Sequence, residues 1–132
     1  MPYVLAVGND EDTVPLNQAF NRIPAGIRVA CVKNGASVWD FITGRPPSEF
    51  PLLMIIDQYL PDIDTLALLM RIKTNEQSKL IPVAILSANV SLEEVNVYYR
   101  AGANCIYKKP MDSSDWSHMA ECLLTLFDDR FR

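Results

Sequence analysis

Four polar stretches directly follow apolar runs in this 132-residue chain, and their chemistry is complementary. Gly8-Asn9-Asp10-Glu11-Asp12 is an acidic loop, Asp57 follows Leu52–Ile56, Ser87 follows Ile81–Leu86, and Lys109 follows Cys105–Tyr107. A carboxylate, a hydroxyl and an ammonium gathered at one rim could bind or transfer an anionic group, with the acids available to a hard cation. Five apolar residues before Asp57 run without alternation, as in a strand buried on both faces of a parallel sheet. Asp57 then lies where the strand leaves the core, the edge at which open parallel sheets place their chemistry. Taken alone, Asp57 equally suits a turn or a helix cap, Ser87 a strand-end turn, and Lys109 a solvated side chain like Lys108.

The elements that must position these groups alternate. Tyr3–Val7 reads as a first strand, and Thr13–Ile23 as a helix with Asp12 or Thr13 as its cap and Pro15 in its first turn. Ile27–Val32 is a second strand, Ala36–Ile42 a short second helix, and Leu52–Ile56 the third strand. A third helix follows Asp64 or Thr65, and Ile81–Leu86 is a fourth strand with Pro82 near its start. Ser91 and Glu94 have capping-box spacing for a fourth helix that runs through Arg100 to Gly102. Cys105–Tyr107 is a fifth strand, and Asp112 or Ser113 caps a last helix reaching about Phe127, with residues 128–132 as its fraying end. Five strands alternating with five helices and joined by right-handed crossovers imply one doubly wound parallel α/β sheet spanning 1–132 as a single domain.

Composition narrows the function. A net charge of −4 disfavours a general nucleic-acid or membrane surface. The three cysteines, Cys31, Cys105 and Cys122, are far apart, form no CxxC or Cys/His cluster, and read as small buried hydrophobes in a reducing cytoplasm. No export signal or membrane-length apolar run is evident, so a cytoplasmic location is expected. His118 is the sole histidine, mid-helix and without a partner in the pattern.

Leu52–Asp57 with Leu60-Pro61-Asp62-Ile63-Asp64, then Ile81–Ala88, then Ala101-Gly102-Ala103 leading to Lys108-Lys109-Pro110 resemble the receiver domain of two-component response regulators, over essentially the whole chain. The resemblance implies a flavodoxin-like sheet of order 2-1-3-4-5. It implies that Asp57 accepts a phosphoryl group from a histidine kinase or phosphotransfer protein, and that Lys109 contacts the phosphoryl oxygens, aimed by a cis peptide bond to Pro110. Ser87 would be the switch hydroxyl, with the small Ala88 leaving room for the phosphoryl group and Tyr59 and Asn89 at the variable flanking positions. Signalling would pass through a downstream protein partner or a homodimer, by a surface on the fourth helix, fifth strand and fifth helix where Val90, Tyr98, Tyr99, Tyr107 and Trp116 are candidates.

Two positions depart from the family pattern. The acidic pair that would hold Mg2+ is replaced by Gly8 and Asn9. The implied site is therefore weakened, comprising Asp57, Asp10, Asn9 and the backbone carbonyl of Tyr59, with Asp10 or Asp12 as substitutes if the loop shifts. Ile106 stands where the family has its aromatic switch, and Tyr107 beside it must face the other side of the sheet. Three readings follow: a stand-alone receiver phosphorylated at Asp57, a pseudo-receiver that binds partners without phosphorylation, and a small aspartyl phosphatase. The last lacks its second acid, since Tyr59 stands two residues after Asp57.

Overall fold

A computed structural model describes residues 2–128. The apolar runs form five parallel strands, β1 (Tyr3–Val7), β2 (Arg28–Val32), β3 (Leu53–Asp57), β4 (Val83–Ser87) and β5 (Cys105–Lys108), in the order β2-β1-β3-β4-β5. Every residue of β3 and β4 is buried, which is why their sequences do not alternate.

Each strand is followed by a helical segment: α1 (Asp10–Asn21), a 3-10 helix (Ala36–Phe41), α2 (Thr65–Thr74), α3 (Leu92–Arg100) and α4 (Ser113–Phe127). The second segment remains a 3-10 helix, with Val38 its only buried residue. It is held at its start by Asp62, whose two carboxylate oxygens accept the Gly35 and Ala36 N–H groups at 2.8 and 2.9 Å. The expected capping box is formed: Ser91 Oγ accepts the Glu94 N–H, and the Glu94 carboxylate accepts the Ser91 N–H. Gly102 ends the turn after α3 with φ 108°, a value open to glycine. Asp128 is the buried C-cap of α4, its N–H donating to Leu124, and residues 129–132 of the expected fraying end lie outside the described residues.

The sheet separates two cores. Val4, Ala6, Leu53, Ile55, Ala84 and Leu86 pack with α1 and α4, while Leu5, Val7, Met54, Ile56, Val83 and Ile85 pack with the 3-10 helix, α2 and α3. Because neighbouring strand residues face opposite ways, this parity sorts the polar groups at the strand ends. Asp57 and Lys109 continue the α1–α4 face; Gln58 and Ser87 continue the α2–α3 face.

Several expectations change. α1 starts at Asp10 with Asn9 as N-cap, so Asp12 is its third residue and Pro15 lies within the helix. Three acids in the first turn suit the positive end of the helix dipole and favour this earlier start. No peptide bond among the described residues is cis, so the Lys109–Pro110 bond is trans and the lysine is aimed by the strand end instead. Cys31 is exposed, while Cys105 and Cys122 are partly buried, and all three are free. Of the proposed aromatic surface, Tyr98 and Trp116 belong to the core, and Tyr99 is exposed.

Candidate functional site at the carboxyl ends of the strands

Asp57 ends β3 in register with Leu86 of β4, and Gln58 continues the ladder by donating its N–H to the Leu86 carbonyl at 2.8 Å. The loop after β3 is tied back at two points. Thr65 Oγ donates to the Asp57 carbonyl at 2.7 Å, and the Tyr59 N–H donates to Asp57 Oδ1 at 3.0 Å. Lys109 follows β5 and is fixed by its N–H donating to the Ser87 carbonyl at 2.9 Å. Its ammonium lies 3.0 Å from Asp57 Oδ2 and 2.9 Å from Asp12 Oδ2. Two carboxylates therefore share one ammonium.

Gly8 packs closely against Asp57 and brings no side chain to the site. A Cβ on Gly8 would stand 3.1 Å from the Asp57 Cβ, tighter than ordinary contact. The acid is supplied instead from the first turn of α1. Asp10 turns outward, its side chain 70% exposed and 3.5 Å from Lys33, and Asn9 is exposed and caps α1 through its carbonyl, which accepts the Asp12 and Thr13 N–H groups. Asp12 thus takes the place at the site that was expected of Asp10. The earlier helix start is the reason.

Electrostatics follow from burial and crowding. Asp57 is 2% exposed and Asp12 5%. Burial, then proximity to Asp57, pushes the Asp12 carboxyl up to about 6. Burial acts in the same sense on Asp57, but contacts from Asp12, the Tyr59 N–H and Lys109 outweigh it and hold its carboxyl below the usual range. Burial lowers the Lys109 ammonium, but its two carboxylate partners outweigh this and keep it above the ordinary lysine value. Asp12 Oδ2 is buried without a well-directed hydrogen bond, so its contact with Lys109 is an ion pair rather than an aligned bond. The cluster carries one more negative charge than positive, which favours a cation.

Mg2+ commonly uses one or two carboxylates, with phosphate oxygens and water completing six positions. Asp12 and Asp57 fit that requirement: oxygen donors that share the Lys109 ammonium, one of them without a directed bond. No cluster of three or more His, Cys, Asp or Glu side chains suited to a metal occurs among the described residues, so protein ligands alone would not complete the shell.

Ser87 belongs to a second cluster on the other face. Its hydroxyl makes a very short hydrogen bond to Gln58 Oε1, and Gln58 Nε2 donates to Glu94 Oε2 on α3 at 2.9 Å. The Asn89 N–H donates back to Ser87 Oγ at 3.2 Å. Asp57 and Lys109 are thus in contact, whereas Ser87 lies at the adjoining strand end with its hydroxyl engaged elsewhere. Tyr59 and Asn89 are exposed at the rim. Ile106 and Tyr107 face opposite cores as strand alternation requires. His118 is exposed and 3.6 Å from Cys122 one turn later.

Sequence reading missed Gln58 and treated Asp12 mainly as a cap. The available signals were Asn9 ahead of three consecutive acids, which marks an earlier helix start, and the parity of position 58, which matches that of buried Ile56.

Comparison with known proteins agrees with this geometry. The response regulator receiver domain family matches residues 4–121. The two-component response regulator-like APRR5 of Arabidopsis thaliana is 31% identical over 97% of this chain, which spans 23% of that protein. The two-component response regulator ORR5 of Oryza sativa is 26% identical, with 93% of this chain and 89% of that protein covered. Among solved structures, response regulator RPA3017 in red light signalling of R. palustris superposes with a TM-score of 0.85 at 22% identity, covering 98% of this chain and 95% of that one. The phosphorylated cyanobacterial phytochrome response regulator RcpA gives 0.84 at 20% identity, with 98% and 95% covered. Together, the family match, the 2-1-3-4-5 sheet and the strand-end carboxylate show that this chain belongs to the response regulator receiver domain family of two-component signalling.

Proposed function

We propose that this chain is a response regulator receiver domain that accepts a phosphoryl group on Asp57 and signals through protein contacts. Receiver domains work with histidine kinases or phosphotransfer proteins, which makes a phosphohistidine the donor in this reading. One Asp57 oxygen attacks phosphorus, the P–N bond to the histidine breaks, and the product is an acyl phosphate. The histidine ring leaves with the electron pair and takes up a proton. The observation that carries this reading is the contact of Asp57 with Lys109 at 3.0 Å, a nucleophile held beside its own counter-charge.

The supporting residues have separable tasks. Contacts with Asp12, the Tyr59 N–H and Lys109 outweigh burial and keep Asp57 ionised near neutrality, the form that attacks. Lys109 is placed to follow the phosphoryl oxygens as charge accumulates. Asp12, with Asp57, would hold Mg2+, which when bound supplies charge neutralisation for the incoming phosphate. At 2% exposure Asp57 has almost no open approach, so Lys109 and Asp12 must part to admit a donor. In this reading there is no enzymatic activity beyond self-phosphorylation and self-dephosphorylation. The output surface is α3, β5 and α4, and contact is with a protein partner or a second copy.

The test is intact mass after incubation with a small phosphodonor and Mg2+. One phosphate on the wild type and none on Asp57→Asn is expected. Equal masses for the two proteins would overturn phosphotransfer and leave the phosphorylation-independent binding module.

A further inference from the structure

Gln58 is the least expected member of the strand-end network. It is 6% exposed, and both ends of its amide are used. Because the Glu94 carboxylate can only accept, Nε2 must face α3, and Oε1 must then face Ser87. Glu94 is divided likewise: Oε2 receives Gln58, while Oε1 accepts from the Ser91 N–H and hydroxyl, each at 3.2 Å. The Tyr98 phenol, four residues on along α3, also interacts with the Gln58 side chain. One planar amide therefore joins the Ser87 hydroxyl to the capping box of α3.

We propose that Gln58 is a positioning residue that reads the state of the Ser87 hydroxyl and passes it through Glu94 to the first turn of α3. For signalling, this rests on the phosphotransfer reading above. When Ser87 Oγ turns to a phosphoryl oxygen on Asp57, Gln58 Oε1 loses its donor. A buried amide oxygen without a partner is costly, so the side chain rotates. Rotation of a rigid amide withdraws Nε2 from Glu94. The capping box then loses the contact that orients its carboxylate. A cleft of about 310 Å3 bounded by Ser87, Val95, Tyr99 and Ile106 gives the segment room to move. Ile106 faces this same side, so the amide provides a connection to α3 that needs no ring on β5.

The test reads α3 directly. In the unphosphorylated protein, Ser87→Ala should shift the Ser91 and Glu94 amide resonances and speed exchange at the Glu94 amide roughly threefold to fivefold, the size of a partly lost cap. The same change in a Gln58→Met background should do neither. Equal responses in both backgrounds would overturn the proposal. If Gln58→Met lacks a normal melting transition, Glu94→Asp breaks the link from the other end, and the same comparison decides. At equal phosphate occupancy on Asp57, the wild type should show the α3 changes and Gln58→Met should not; matching changes would overturn the proposal. A wild type that takes up no phosphate would sink the phosphotransfer reading alone, since the Ser87 comparison decides the Gln58 link without it.

Discussion

Asp12 and Asp57 are both aspartates beside Lys109, yet their ionisation moves in opposite directions. The sign for stability follows from where the proton binds more tightly. Asp12, at about 6 in the folded chain against 3.8 in the open chain, holds its proton more tightly when folded. Its contribution therefore erodes stability as pH rises from about 4 through 6, and Asp57, shifted down, contributes stability that is lost as pH falls through its lowered value. In chelator, Asp12→Asn should raise stability at pH 8 by about 1–2 kcal/mol and change it little at pH 4.5, as measured by urea unfolding at both pH values. That is less than the full shift implies, because Asp57 and Asp12 titrate together. The same substitution should weaken Mg2+ binding at least tenfold in a titration followed by Trp39 or Trp116 fluorescence. Unchanged affinity would remove Asp12 from the metal site. Asp57 and Lys109 were legible in the sequence because each ends an apolar run. Gln58 was not, because a polar residue after a strand-end acid reads as the start of a turn.

Among the elements, β3 and β4 were the most legible, since only a doubly covered strand has an unalternating apolar run followed at once by polar residues. The start of α1 was the least legible. Pro15 suggested a first turn, but it is the sixth residue of the helix, where it removes a backbone donor and its ring crowds the Glu11 carbonyl. Pro15→Ala should therefore stabilise the chain by about 1–2 kcal/mol, with a higher melting temperature in calorimetry. Destabilisation would mean that the proline bend is needed to seat α1. The 3-10 segment was read as a helix because its apolar spacing does not distinguish the two windings over so few residues.

At the scale of the whole molecule, one sheet insulated by two cores supports the site from both sides. Leu68 of α2 is fully buried in the core beneath Gln58 and Ser87, on the side away from Asp12. Leu68→Ala should cost about 2–5 kcal/mol in denaturant unfolding while leaving Asp57 able to take phosphate below the unfolding transition. Loss of phosphate uptake in the still-folded variant would show that the two faces are not independent. The doubly wound parallel sheet was legible because right-handed crossovers favour it for five alternating strands, whereas its order came from the resemblance to receiver domains. The division of polar groups between the faces was equally written in strand parity.

Placing an acid on a helix rather than in the β1 loop has a mechanical consequence. α1 lies against α4, and Pro15 interrupts its backbone ladder between Asp12 and Asn21. A tilt of the first turn of α1 would carry Asp12, which is ion-paired with Lys109 beside buried Asp57. A protein that leaned on the first turn of α1 would bear on that ion pair.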